Sequence, residues 1–540
     1  MKIKSLLFGM LACTALVGCS NEDDPVVNNG SEETLANSYM AIRIADANNV
    51  TSRGEGGAYD EGVDAERKIV DADFFFYTGD GRFVALVEKN FTNQTQSAGN
   101  VSDKAQMLVL EKTQLQPETL VTLVNNPIAA NTLRGLTLSE MKAKVAEIGE
   151  IADFAKGNSF FMTCSSYFNG DNAVYGTSVK GLLKESAEEA EDAPVDIYVE
   201  RVAAKASVKF TKSSSVIPSQ IVDETPQEIT VRLKGWGLNG TNKDAYLIKS
   251  LVGVNYDWAK SSDYRSFWAV DNNYSNGEYA TIYKDLLTVG EDGKYSDTDA
   301  NGNYNSAAVD ESEFSLNYIS ANEASLESEA SSYCLENTSD VLLVHNQANP
   351  YTTVTIIAEV LLEGNESAET IYKYQGAYYT ESSMKNLALN LLKDYKKNGE
   401  DLVAADIKFV DAWDNMNNKV KFEVVAGVYT KGEAEVEISE MNGKLQNLGT
   451  ASCFTNGLCY YNVPIEHFGA TSEVENNGVY GMVRNHSYVL NVKSINNVGE
   501  AVYKPDAPII PTITPTPQDF YLSTTLNVLS WKTVSQDVDL

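Results

Sequence analysis

A mainly β fold is what this sequence predicts, and three observations predict it. Short stretches that alternate apolar and polar residues recur along the chain. Tyrosine is abundant at 29 residues, amid many Asn, Ser and Thr, a mix that suits sheets and surface loops. Helical spacing surfaces in only two places, Leu138–Ile151 and Ser382–Leu392.

The chain opens with a targeting segment. Lys2 and Lys4 form a short basic region, and Ser5 to Val17 is an apolar run too short to span a bilayer. The run ends Leu16-Val17-Gly18-Cys19, which resembles the bacterial lipobox, where the cysteine is lipidated and becomes the mature N-terminus. The acidic run Ser20–Asp24 follows and resembles a surface-export signal of Bacteroidetes lipoproteins. One acyl chain holds a protein only marginally.

After a polar stretch, Ser38–Ala45 places Met40, Ile42 and Ile44 on one face of a first strand. The next loop contains Thr51-Ser52-Arg53-Gly54, an arginine among small residues and so an accessible trypsin-like site; Arg67 is its rival. Strands are then expected at Ile69–Tyr77, Phe83–Val87, Gln106–Leu110, Thr119–Val124, Phe160–Thr163 and Ile197–Phe210. The acidic run Lys184–Asp192 reads as a solvated loop, and the Ser/Pro-rich Lys212–Pro226 as a domain boundary. Further strands are expected at Glu228–Leu233, Thr352–Leu362, Lys419–Val425 and Tyr488–Ile495.

The last twenty residues carry a period of two. Leu526, Val528, Val534, Val538 and Leu540 fall on even positions, with a kink expected near Trp531. Pro505, Pro508, Pro511, Pro515 and Pro517 precede them as a semi-rigid, extended tether. A strand on a tether needs a sheet to complete, either its own or another molecule's.

The net charge of −33 argues against nucleic acid or an anionic membrane as partner. No GxSxG, P-loop, HExxH or zinc-spaced Cys/His set occurs, so no catalytic residue, metal site or cofactor is assigned and the chain is read as a non-enzyme. The three histidines, His345, His467 and His486, share no spacing and read as loop or packing residues. Asp297, Asp299, Asn301 and Gly302 open like a calcium loop, but Ala308 stands where a glutamate is needed. Cys453 and Cys459 flank a Gly-containing turn, where they either pair across a hairpin or stay separate buried thiols. Tyr256, Trp258, Trp268, Tyr274 and Tyr279 offer either a carbohydrate platform or packing.

Several stretches together resemble the fimbrillins of Bacteroidales, nearest to the minor-fimbria (Mfa-type) shaft fimbrillin. These are Val231–Lys249, Arg265–Trp268, Cys334–Thr338, Gly478–Tyr488 with its VRNHSY block, Val121–Pro127 and Val199–Lys205. The resemblance implies two β-sandwich-like (transthyretin-like) domains with long loops, a few short helices and a C-terminal donor strand. It implies a type V pilus shaft subunit exported as a lipoprotein and resident in the cell-surface fimbrium. Cys19 would carry the lipid, a transient outer-membrane anchor. An Arg-specific surface protease would cut at Arg53 and remove the Met40–Ile42–Ile44 strand. A donor strand containing Leu526, Val528, Trp531, Val534, Val538 and Leu540 would fill the groove of the next copy. Partners would be the chain itself, as a head-to-tail homopolymer, and tip and anchor fimbrillins. The expected parts are signal peptide 1–18, propeptide with the removable strand 19–53, N-terminal β domain 54–212, C-terminal β domain 213–504, and tether with donor strand 505–540. The competing reading is a surface lipoprotein adhesin or glycan-binding module.

Overall fold

The computed structural model describes residues 38–46, 59–60, 62–91, 106–111, 115–147, 159–254, 256–260, 264–272, 316–338, 351–412, 418–465, 467, 480–511 and 531–539. The expectations for Cys19, Arg53, Leu526, Val528, Leu540, His345, Tyr274, Tyr279 and the Asp297–Gly302 motif lie outside these residues.

The first part of the chain builds β1 (Ser38–Asp46), β2 (Tyr59–Asp60), helix α1 (Asp64–Arg67), β3 (Asp71–Tyr77), β4 (Phe83–Asn90), β5 (Gln106–Leu110) and β6 (Thr119–Val124). Helix α2 (Leu138–Ala143), β7 (Met162–Cys164), α3 (Ala187–Glu191) and β8 (Val195–Arg201) follow. Seven of these strands form one sheet in the order β4-β3-β6-β7-β8-β1-β5, with Thr177–Ser178 added beside β6. Both of its faces are covered at β3, where the consecutive Phe74, Phe75, Phe76 and Tyr77 alternate sides and are all fully buried. Three consecutive phenylalanines with apolar neighbours on both sides of the sheet favour an extended chain over a helix.

The remainder builds β9 (Ala203–Phe210), β10 (Ser214–Val222), β11 (Thr225–Asn239), β12 (Ser331–Leu335), β13 (Thr353–Leu362), β14 (Ile371–Tyr374) and β15 (Ala377–Thr380). Then come helix α4 (Glu381–Leu391), β16 (Ile407–Asp411), β17 (Lys419–Val424), helix α5 (Ile438–Leu445), β18 (Ala451–Phe454), β19 (Leu458–Pro464), β20 (His486–Ser494), β21 (Glu500–Ala501) and β22 (Trp531–Asp539). One sheet runs β12-β9-β20-β22-β2, and a ten-stranded sheet runs β16-β17-β18-β14-β15-β10-β11-β13-β19-β21. β13 is buried at every position, as a strand covered on both faces must be. The two sheets enclose a second core, which includes Val208, Trp236, Ile356, Tyr461, Tyr488 and Leu490. Helices α4 and α5 close a third core through Met384, Ala388, Met441 and Leu445.

Four expectations change. The strand expected over Ile197–Phe210 is two strands, β8 and β9, which join different sheets and meet at Val202. The Ser/Pro-rich stretch at 212–226 contains strand β10 of the ten-stranded sheet and the first residues of β11. A register shift between Ile217 and Gln220 accommodates Pro218, since a bulge releases a residue from ladder bonding. The helical spacing from Leu138 ends at Ala143, and Val145–Glu147 pairs as a strand with Asp244–Tyr246. The acidic run contains α3, capped by the Ser186 hydroxyl, which accepts from the Glu189 amide.

Candidate functional site

Strand β1 sits inside its sheet, not at the rim. Along Ile42–Asp46 it pairs in parallel with Val195–Val199 of β8, and along Ser38–Ile42 antiparallel with Gln106–Leu110 of β5. On the β8 side, the Tyr39 amide donates to the Lys184 carbonyl at 2.9 Å, and the Lys184 amide returns the bond at 2.8 Å. Met40, Ala41, Ile42 and Ile44 are buried at 1%, 1%, 0% and 2% exposure, so the face read from the sequence is the packed face. Met40, Ile42 and Ile44 share a core with Leu108, Leu110, Ile197 and Val199. Burying the three large side chains is worth roughly 5–9 kcal/mol. The outward-facing Arg43 forks onto Asp196 at 2.7 and 3.0 Å, half in solvent, and adds little. Taking β1 away would leave β8 and β5 as two facing edges over an apolar trench.

The C-terminal strand lies elsewhere. β22 pairs in parallel with β20, Val534 beside Tyr488 and Val538 beside Val492. Trp531 and Lys532, at its start, pair antiparallel with Asp60 and Tyr59 of β2. The tail therefore rests on its own molecule, between β20 and β2, the folded-back arrangement that the alternation left open. The strand begins at Trp531, where the sequence suggested a kink. The proline segment is docked as far as Pro511. The Asn322 amide donates to the Pro505 carbonyl and the Ile509 amide to the Ile319 carbonyl.

Between the sheets lies a buried polar junction that sequence reading missed. Glu66 of α1 is fully buried; it takes a 2.9 Å ion pair from Lys205 and a 2.5 Å bond from the Tyr333 hydroxyl. Burial raises its pKa, but Lys205 and Tyr333 outweigh that and hold it below the usual glutamate value. Arg201 donates to the Glu66 carbonyl at 2.6 Å and to the Asn485 side-chain oxygen at 3.0 Å. Next to it Lys249 donates to Glu200 at 2.9 Å, and Arg484 lies 3.3 Å from Glu336. Burial raises Glu200 and lowers Lys249, each effect opposed by the partner's charge. The signal was present in the sequence: Glu200 and Arg201 interrupt an otherwise strand-like run. The VERVAAK and VRNHSY stretches quoted for the resemblance meet here, since Asn485 also donates its amide to the Ala203 carbonyl.

His486 lies in this junction, with its ring Nδ1 2.8 Å from the Arg484 carbonyl. Burial, then His467, pushes its pKa well down. His467 Nδ1 is 2.7 Å from the Tyr488 hydroxyl, and Trp268 packs on His467 at 5.3 Å. Trp268 is fully buried, Trp258 meets it edge to face, and Tyr256 stacks on Trp258. These rings build a core, not a flat platform. Arg67, the rival cleavage residue, ends α1 directly after the buried Glu66.

The disulfide offered for Cys453 and Cys459 is not formed; both thiols are free and buried. The two cysteines do not flank a hairpin: β18 pairs with β14 and β17, whereas β19 pairs with β13 and β21. Cys453 faces the third core and Cys459 the second. Burial pushes the Cys453 thiol up to about 11 and Cys459 to about 12. Among the described residues no cluster of His, Cys, Asp and Glu is placed to hold a metal ion, and no helix is long and apolar enough to cross a membrane.

Residues 452–537 match the sequence model of a family described as major fimbrial subunit protein type IV, fimbrillin, C-terminal. The match begins within β18 and ends within β22, and so includes the β20–β22 pair. The fimbrillin resemblance is thus borne out there. No curated protein matches the chain in sequence. Among solved structures, a fimbrilin (fimA) from Porphyromonas gingivalis is 15% identical over 93% of this chain and 96% of its own, with a TM-score of 0.37. The tip fimbrial protein Mfa3 from the same organism is 12% identical over 62% of this chain and 83% of its own, with a TM-score of 0.28. The fimbrial anchor protein Mfa2, also from Porphyromonas gingivalis, is 11% identical over 74% of this chain and 98% of its own, with a TM-score of 0.20.

Proposed function

We propose that this chain, which carries a fimbrillin C-terminal segment, is a shaft subunit of a cell-surface fimbria that polymerises by strand exchange. Export as a lipoprotein through Cys19 precedes trimming at Arg53 by an Arg-specific protease. Trimming removes β1, and the C-terminal strand of a neighbouring copy then fills the β8–β5 trench. Tip and anchor fimbrillins close the two ends of the filament. The role is structural and supports adhesion; it involves no cofactor.

The observation that carries this reading is the seat of β1. A strand that contributes Met40, Ile42 and Ile44 to a core and is paired on both sides cannot leave without recruiting a replacement, because open strand edges pair readily. Addition of one copy's tail to the next copy's trench is heterologous and does not close, so it gives a fibre. The settings of two other arginines count against them as cleavage sites. Arg43 lies within a paired strand, and Arg67 follows a side chain locked in the buried junction. A protease needs extended, unpaired chain.

The test is trimming of the purified precursor with an arginine-specific protease. Arg53→Ala should leave an uncut monomer, while Arg67→Ala should be cut and form SDS-stable ladders like the unaltered chain. Ladders from Arg53→Ala would sink the assignment.

A further inference from the structure

We infer that the edge of β20 is a resting seat for the C-terminal strand, and that β2 is the latch that keeps it there until the chain is cut upstream. This inference rests on the strand-exchange reading above.

Three observations carry it. First, β22 spans 9 residues and is paired with β20 over nearly its whole length. The seat is specified, since Val534 and Val538 stand beside Tyr488 and Val492, both fully buried on the core-facing side of β20. A slip of one residue would place Thr533 and Asp537 there instead. Second, β2 covers only the first two residues of β22, Trp531 and Lys532. That is the end through which the tether enters, so peeling driven from the tether must break the β2 pairing first. Third, β2 is only 2 residues long, and a ladder so short has no standing of its own. It is held in place from two sides. Upstream, the chain leads to β1, seated in the first sheet. Downstream it leads to α1, pinned through Glu66 by Lys205 and Tyr333.

Arg53 lies between β1 and β2 in the sequence. A cut there leaves β2 tethered at one end only, which lowers its effective concentration at β22. The same cut frees β1 to leave the trench. One peptide bond thus controls both halves of the exchange: it opens the acceptor and unlatches the donor. An uncut copy is closed twice over, with its groove filled and its tail seated.

The test uses the full-length, unlipidated precursor with Cys19→Ser and the pair Tyr59→Cys and Lys532→Cys. Directly opposed residues of an antiparallel pair stand about 4.5–5.5 Å apart at Cα, within disulfide range, and the described native thiols are buried. The oxidised uncut pair should close an intramolecular disulfide, and neither single variant should. After cutting, the oxidised pair should stay monomeric, and reduction should restore laddering at the rate of the unaltered chain. Closure should slow once β2 is held at one end. Failure to close, equal laddering of oxidised and reduced protein, or an unchanged closure rate after the cut would each overturn the latch. If cut, unaltered chain does not ladder at all, the strand-exchange reading falls instead. Closure before the cut and its slowing afterwards still decide the latch.

Discussion

Ile44 lies beside Ile197 in the parallel pairing of β1 and β8, with the two side chains 2% and 0% exposed. One belongs to the segment proposed to be discarded and the other to the wall that stays. On that proposal the core of the precursor is not the core of the trimmed chain, and mutations in β1 act on only one of the two.

Ile42→Ala makes that distinction measurable. Ile42 is fully buried among Leu108, Ile197 and their neighbours, and truncating such a side chain costs about 2–5 kcal/mol. The thermal midpoint of the uncut precursor should fall by several degrees. The trimmed filament, which lacks residue 42, should melt as the unaltered filament does.

Glu66→Gln should destabilise the uncut chain by about 3–5 kcal/mol, because it leaves Lys205 facing a neutral group in a buried site. The pH dependence has a fixed sign. The folded pKa of Glu66 lies below its ordinary 4.5, so its contribution is present above pH 4.5. That contribution is lost as pH falls through the folded pKa. Urea titrations at pH 7 and across the acid range should show a steeper acid loss for the unaltered chain than for Glu66→Gln.

His486 sets a second window. Its folded pKa is well below 6.5 because the neutral ring is buried. Below pH 6.5 the unfolded chain binds a proton that the folded chain refuses, so stability falls as pH drops from 7 to 5. His486→Gln should flatten that slope, read as the change in urea midpoint between the two pH values.

The free thiols give a simple check. Cys453 and Cys459 face different cores, so a reducing agent should leave the melting temperature unchanged. Thiol titration in denaturant should give the same count with and without prior reduction. A rise in the count after reduction would restore the disulfide.

The strands that could be read in the sequence are those with one dominant signal. Gln106–Leu110 and Thr119–Val124 fall where expected, and Met40, Ile42 and Ile44 face the core as their spacing requires. What escaped was decided by non-local pairing. Glu200 and Arg201 mark the end of β8, but they do not say that β8 and β9 belong to different sheets. Pro218 hid β10 within a stretch read as a domain boundary, because the bulge that admits it exists only against β11. The junction of Glu66, Lys205, Arg201 and Asn485 joins residues from both ends of the chain, and charged residues in a sequence read as surface. The alternation of the tail was legible, but its seat on β20 was not, since an amphipathic strand does not name its partner.

Filament growth is proposed to pass through the trench that β1 leaves. A synthetic peptide of residues 38–46, added to freshly trimmed chain, tests this most directly. The peptide should refill the trench and halt SDS-stable laddering in a dose-dependent way, whereas a scrambled peptide should have no effect. Ladders that grow at an unchanged rate under saturating 38–46 peptide would show that growth bypasses the trench.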